Sequence, residues 1–261
     1  MSHMQEKINI RGVDFDNVTM DEAADIAAQL IEKDGFDYIV TPNSEIVQMC
    51  INDASLYGIV NSASLIIPDG IGVVYASKVL GRPLKQKVAG FDLSKRVLDY
   101  AAKSGKKVYF FGSAPEKDGT PAVCDIAAEK IKELYPGIDI CGTRHGFFKD
   151  EDTDGIIEAI NATGADILFV CLGAPKQEKW IFANRDKLKV SLAMGLGGSL
   201  DVYAGTVKRA PDIFIKLNLE WFYRLLKQPK RIGRMMNLPK FLFGTIFYKL
   251  SGKDKKNSKK A

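Results

Sequence analysis

The stretch ADILFVCLGAPKQEKW (165–180) decides the fold. It opens as an unbroken apolar run, turns at Gly173 and restarts after Pro175 as a polar segment of helical character. Apolar residues in continuous sequence, without alternation, mark a strand covered on both faces of a parallel sheet. Five more runs read the same way: DYIVT (37–41), SLIIP (64–68), KVYFFG (107–112), IDICGT (138–143) and VSLAMGLG (190–197). Helical patterns separate them. Thr19 and Glu22 form a capping box, with Ala23, Ile26, Ala27 and Leu30 on one face and Gly35 as the stop. Thr120-Pro121 reads as the N-cap and first position of another helix, which ends before Pro136-Gly137. This alternation predicts an α/β fold: a Rossmann-like, mostly parallel sheet with helices on both faces.

The alternation stops near residue 206. The expected organisation is an α/β core over 5–206 that carries the candidate catalytic loops, a basic helical appendage over 207–250, and a disordered Lys-rich tail over 251–261. Within Ala210–Gln228, Phe214, Leu217, Trp221 and Leu225 fall at helical spacing, and Pro229 ends the pattern. A short apolar piece, LPKFLFGTIFYKL (238–250), follows. Its Phe241, Leu242, Phe243, Ile246 and Phe247 are expected to dip into a lipid interface. Charge divides the chain at the same place. From Lys208 onward there are fifteen Lys/Arg against three Asp/Glu, a balance of +12, whereas the preceding 207 residues carry 22 against 29, a balance of −7. So basic a block meets phosphate, whether of nucleic acid, an anionic membrane surface or a diphosphate ligand. No nucleic-acid motif surrounds its aromatics, so no nucleic-acid partner is expected.

Length and composition suit one large α/β domain with an appendage: 261 residues, 46% hydrophobic. The leading Met1-Ser2-His3-Met4 looks like a cloning scar, which leaves His145 as the other histidine. Cys50, Cys124, Cys141 and Cys171 lie in apolar surroundings without C-x-x-C spacing and read as buried thiols of a reducing cytosol. No secretory signal opens the chain, and no apolar run reaches the ~20 residues that a membrane-spanning helix needs.

Ligands of an open α/β sheet bind beyond the carboxyl ends of its strands, and the chemically rich segments follow strands. In TPNSE (41–45), Thr41, Asn43 and Ser44 either cap a helix or hold a polar ligand at its N-terminus. In PDGIG (68–72), Asp69 is either a turn residue or a general base presented at the sheet edge. In LGAPKQEKW (172–180), Lys176 and Gln177 project from the first turn of a helix and suggest an anion site. GLGGSLD (195–201) resembles a dinucleotide fingerprint only loosely, because it lacks G-x-G-x-x-G spacing. That spacing, with its acidic partner, is what a nicotinamide-dependent oxidoreductase requires. Two D-x-D strings, Asp14–Asp16 and Asp152–Asp154, read better as hairpin and helix-start carboxylates than as a metal site. His145 and scattered cysteines make no zinc set, and without G-x-S-x-G there is no hydrolase nucleophile. No metal and no cofactor is therefore expected.

Seven motifs in order then carry a resemblance: TPNSEIV (41–47), IIPDGIGVVYASKVLGRPLKQKVAGFDL (66–93), HGFF (145–148), LGAPKQEKW (172–180), GGSLDVYAG (197–205), VKRAP (207–211) and LEWFYRLLKQPKR (219–231). From about residue 8 to 245 the chain resembles the WecG/TagA/CpsF glycosyltransferase family (glycosyltransferase family 26). The resemblance implies inverting transfer from a UDP-sugar to an undecaprenyl-diphosphate-linked acceptor without an essential metal. It makes Asp69 the general base and gives Thr41, Asn43 and Gln177 to the donor or acceptor pocket. Lys87 stands where relatives have Arg, which keeps the charge but loses the bidentate fork. Arg224, Arg231 and Arg234 match a basic appendage thought to complete the active site near the membrane. A homodimer, peripheral on the inner face of the cytoplasmic membrane, is implied as well. The pattern looks closest to the teichoic-acid branch, which transfers N-acetylmannosamine from UDP-N-acetylmannosamine to N-acetylglucosaminyl-diphospho-undecaprenol in β-1,4 linkage. Other branches use UDP-N-acetylmannosaminuronic acid or another UDP-hexose.

Overall fold

All six apolar runs form strands of one sheet in the computed structural model, which describes residues 6–227 and 237–252. The chain opens with a hairpin of β1 (Lys7–Ile10) and β2 (Val13–Asp16), followed by α1 (Met20–Glu32). Next come β3 (Asp37–Val40), α2 (Ser44–Asn52), α3 (Ala54–Asn61), β4 (Leu65–Ile66), α4 (Ile71–Leu80) and α5 (Gly90–Ser104). The alternation continues through β5 (Lys107–Gly112), α6 (Val123–Leu134), β6 (Asp139–Arg144), α7 (Thr153–Ala162), β7 (Ile167–Cys171) and α8 (Lys176–Asn184). β8 (Leu192–Gly195) and α9 (Ser199–Tyr203) close the core, and α10 (Asp212–Lys216), α11 (Glu220–Lys227) and α12 (Asn237–Leu250) follow.

The sheet order is β4-β3-β8-β7-β5-β6, every pair parallel, while β1 and β2 pair antiparallel apart from it. From β3 the chain steps outward to β4, and from β5 it steps outward the other way to β6. Crossovers that diverge in this way leave a crevice at the carboxyl ends of the central strands. Both faces are packed. Phe110 stacks on Phe169 at 5.7 Å on one side, and Phe111 meets Trp180 at 4.8 Å on the other. Each such buried side chain contributes roughly 1.5–3 kcal/mol.

Local signals behave as their chemistry requires, with two exceptions. The Thr19–Glu22 box is reciprocal: the Glu22 N–H donates to Thr19 Oγ1 at 3.2 Å, and the Thr19 N–H donates to Glu22 Oε2 at 2.7 Å. Helix α6, however, begins at Val123 rather than after Thr120. Thr120 is held by a two-way backbone exchange with Lys117, across a turn in which Asp118 and Gly119 have φ of 52° and 77°. The segment expected as one helix over Ala210–Gln228 is broken into α10 and α11. Asn218 adopts φ 58°, and the Leu219 N–H reaches back to the Phe214 carbonyl at 2.7 Å. Asn tolerates the left-handed region better than other side-chain-bearing residues.

The C-terminal helix corrects a further expectation. α12 packs on α2 and α4, and Phe241 and Thr245 are 0% exposed, so Phe241 belongs to the protein core and not to a lipid interface. Leu242 is half-buried against the same cluster. The hairpin tip secures the helix: the Arg11 guanidinium lies 5.8 Å from the Phe241 ring and 5.9 Å from that of Tyr248. Gly72 of α4 allows close approach as well, since a Cβ there would stand 2.5 Å from Leu238 Cδ1. The opposite face of α12 is open, with Phe243 64% and Phe247 70% exposed beside Ile246. Among the described residues no helix is long and apolar enough to cross a membrane. Beyond Gly252, the expected tail lies outside the described residues. Removing the buried ring by Phe241→Ala should cost about 3–5 kcal/mol in urea unfolding. Phe247→Ala should stay within about 0.5 kcal/mol of the parent.

Candidate active site

At the carboxyl edge of the sheet the loops enclose a cleft of two lobes, about 250 Å³ and 420 Å³. Asn43, Glu45, Asp69, Phe91, Arg209 and Glu220 line both and form its waist. The smaller lobe adds Ile71 and Lys87, with Trp221 of α11 and Leu238 of α12 as its far wall. Thr41, Gln177, the Gly197–Ser199 turn, Asp201, Lys208 and Tyr223 complete the larger lobe.

Each side chain is placed by its element. Thr41 directly follows β3, and its Oγ1 donates to the Gly195 carbonyl at 3.1 Å, tying the β3 loop to the end of β8. The N-terminus of α5 comes up against it: a Cβ on Gly90 would stand 2.8 Å from Thr41 Cγ2. Asn43 is the N-cap of α2, its Oδ1 accepting from the N–H groups of Glu45 and Ile46. Capping and cleft-lining are thus joint roles of one residue. Asp69 follows β4, but the N-cap position of α4 falls on Gly70, so Asp69 is not the residue capping that helix. It faces both lobes instead.

Gln177 is 2% exposed and fixed at both ends of its amide. Its Oε1 accepts from the Gly197 N–H at 2.9 Å, and its Nε2 donates to Glu178 Oε1 at 2.9 Å. The side chain therefore clips the glycine-rich turn to α8. Burial raises the Glu178 carboxyl above its ordinary value, and among the described residues Glu178 Oε2 has no hydrogen-bond partner. Lys176 departs from expectation: its ammonium sits 4.0 Å from the centre of the Phe148 ring and does not line the cleft. Ser113, after β5, donates to Asp201 Oδ2 at 3.1 Å at the rim of the larger lobe.

The residues read as structural have structural partners. Asp16 accepts from the Ile66 N–H at 2.8 Å and pairs with Lys7, Asp152 accepts from the Lys149 N–H, and Asp154 pairs with Lys187. Among the described residues no group of three or more His, Cys, Asp or Glu stands together as a metal-ligand set. Burial pushes the Cys50 and Cys171 thiols up to about 12 and Cys124 to about 11, which keeps them protonated and unreactive.

Of the residues singled out from sequence, the fold gathers Thr41, Asn43, Asp69, Lys87 and Gln177 around one cleft. Arg224 lies in α11, whose Glu220, Trp221 and Tyr223 reach the cleft, whereas Arg231 and Arg234 lie outside the described residues. Arg209, Asp92 and Asp201 received no role from sequence, although VKRAP and GGSLD contain two of them.

An open parallel sheet with a bilobed cleft at its carboxyl edge, and carboxylates at the waist, has the form of a group-transfer enzyme of the α/β class. The chain belongs to the glycosyl transferase WecG/TagA/CpsF family, which it matches over residues 8–255. It is 41% identical over 209 residues to the N-acetylglucosaminyldiphosphoundecaprenol N-acetyl-beta-D-mannosaminyltransferase of Bacillus spizizenii, covering 80% of this chain and 78% of the relative. It is 37% identical over 239 residues, 91% of each chain, to proteins of the same name from Staphylococcus aureus strains MW2 and NCTC 8325.

Two measurements check the clip. Gln177→Ala leaves the Gly197 N–H and a buried carboxyl unpaired, and should lower stability by about 1–3 kcal/mol. For Glu178 the sign follows from linkage. A folded-state value raised above the ordinary 4.5 means that the native chain holds the proton longer than the unfolded one. Stability then falls as pH rises through and above that ordinary value. Glu178→Gln keeps an acceptor for Gln177 and removes this ionisation, so its stability relative to the parent should improve as pH rises above the ordinary carboxylate value and then level off. A gap independent of pH would exclude ionisation of Glu178 as the cause.

Proposed function

We propose that the chain transfers N-acetyl-β-D-mannosamine from UDP-N-acetylmannosamine to N-acetylglucosaminyl-diphospho-undecaprenol, the linkage-unit step of wall teichoic acid synthesis. The names of the relatives supply the acceptor and the transferred sugar, and the family resemblance supplies the UDP-linked donor. The observation that carries the mechanism is Asp69 at the waist, with a lobe on either side. An inverting transfer brings donor and acceptor to opposite sides of one anomeric carbon, and the acceptor hydroxyl must lose its proton there. A carboxylate between two binding lobes is in position to take it.

The larger lobe suits the nucleotide, since it is built from strand ends and the Gly197 turn, where backbone can approach a ligand closely. The smaller lobe suits the acceptor. Its wall includes Leu238 and Trp221 from the C-terminal helices, and α12 turns Phe243 and Phe247 outward. In this arrangement the lipid tail leaves toward the side that meets the bilayer. We assign the open face of α12 to an anionic membrane surface, where each nearby basic residue of the appendage adds about 1 kcal/mol, and place the enzyme peripherally on the inner leaflet. Arg224, Arg231 and Arg234 join Lys87 and Lys208 as the positive groups around the diphosphates. With charge supplied by side chains, transfer should proceed in EDTA.

Asp69→Asn should lower turnover roughly 10²–10⁴-fold, the usual worth of a general base, with UDP binding retained. Near-normal turnover in that variant would remove Asp69 from the role. Loss of transfer in EDTA with recovery in manganese would refute the metal-free reading. Flotation with anionic liposomes should carry the full chain upward, and the double variant Phe243→Ser, Phe247→Ser should float poorly.

A further inference from the structure

Arg209 lies in the VKRAP segment, directly after the core, and among the described residues its guanidinium is the cleft-lining cation held by a carboxylate fork. Nη1 donates to Asp92 Oδ1 at 2.7 Å and Nη2 to Asp92 Oδ2 at 2.6 Å, a bidentate fork. The guanidinium carbon lies 4.7 Å from the centre of the Phe91 ring, so the plane is fixed as well as the edge. Phe91 is in turn packed against Tyr203 at 4.8 Å. Burial alone would raise the Asp92 carboxyl, but the bonds from Arg209 outweigh it and hold Asp92 below the usual carboxylate range. Only 18% of the Arg209 side chain is exposed, yet it lines both lobes. Among the described residues Lys87 lines the smaller lobe alone and Lys208 the larger alone, and Arg209 is the cation common to the two.

That position matters because of where the bonds change. In an inverting transfer the acceptor oxygen forms its bond to the anomeric carbon while the bond from that carbon to the diphosphate oxygen breaks. The electron pair leaves with the nucleotide diphosphate, and the acceptor proton goes to Asp69. Base and leaving group therefore flank one carbon at the waist, where Asp69 and Arg209 both stand. Carboxylates of Glu45, Asp69 and Glu220 also face this region, with Asp92 behind Arg209, so a departing anion needs a cation held there. A guanidinium has five N–H donors, and the fork to Asp92 uses two of them, leaving others for phosphate oxygens.

We propose that Arg209 is a catalytic residue of this transfer, binding the diphosphate as the glycosyl bond breaks, and that Asp92 is the positioning residue that aims it. The inference rests on the UDP-sugar reading above. Asp92 gives up part of the positive charge in exchange for orientation, and a preorganised donor needs no rearrangement at the moment of reaction.

The test compares UDP with uridine, by titration calorimetry on the full chain, alongside turnover. Arg209→Ala should weaken UDP about 10- to 100-fold, the range for a hydrogen bond to a charged group, and leave uridine affinity nearly unchanged. Its kcat should fall about 10²–10³-fold. Arg209→Lys, which keeps the charge without the fork, should fall between, and Asp92→Asn should lower kcat more than it weakens UDP. Parental UDP affinity and kcat in Arg209→Ala would overturn the proposal. Equal losses for UDP and uridine would overturn it too, because they would mean a merely structural role. Should Arg209→Ala fail to fold, unchanged UDP affinity and kcat in Arg209→Lys serve as the refuting result. If the parent chain bound no UDP and transferred no sugar, the functional reading itself would fall, and this one with it.

Discussion

Six strands running one way impose the constraint on which the rest of the structure depends. A parallel sheet sends every strand out at the same edge, so the loops after β3, β4, β5, β7 and β8 must collect there however far apart they lie in sequence. Their crowding is relieved by small residues and secured by a few long-range bonds. Thr41 reaches the Gly195 carbonyl 154 residues away, and Gln177 holds Gly197 from the preceding helix. The cleft is what remains where the crossovers part. Its shape is thus a consequence of strand direction and connection order, and only its lining is a matter of side chains.

Within that lining, charge is arranged by burial. Asp16 is buried and Asp92 half-buried, and both have partners, a backbone N–H with Lys7 for the first and the Arg209 fork for the second; the fork lowers the Asp92 carboxyl, whereas burial still raises that of Asp16. Glu178 is buried more deeply than Asp92 and has, among the described residues, only the Gln177 amide, and burial raises its carboxyl. Asp16, Asp92 and Glu178 thus hold the frame together, while Glu45, Asp69 and Glu220 line the waist.

Much of this was legible in the chain because its causes are local. Continuous apolar runs such as ILFVC mark strands covered on both sides, and a Thr–Glu pair three residues apart marks a helix start. Thr41, Asn43, Asp69 and Gln177 could be singled out because each directly follows a strand or opens the next helix. What escaped has non-local causes. Arg209 and Asp92 are 117 residues apart, and neither segment hints at the other. The break at Asn218 depends on one residue accepting a left-handed backbone inside a pattern that otherwise scans as helix. α12 misled for a different reason: its large apolar residues are spread around the helix, so composition cannot tell which face is buried. Contact with α2, α4 and Arg11 selects Phe241 and Thr245 for the core and leaves Phe243 and Phe247 outside.

The meeting of Gly72 and Leu238 ties two parts of the molecule that would otherwise drift apart in evolution. One sits in the first turn of α4, beside the carboxylate-bearing loop, and the other opens the final helix. A side chain at 72 would meet both Leu238, at 2.5 Å, and Ser44 of α2, at 3.0 Å, so room for it has to be made at both neighbours. Changes at position 72 are therefore coupled to those at 238 and 44. The C-terminal helix is in that sense moulded to the core, and grafting it between relatives should succeed only when its socket is transferred with it.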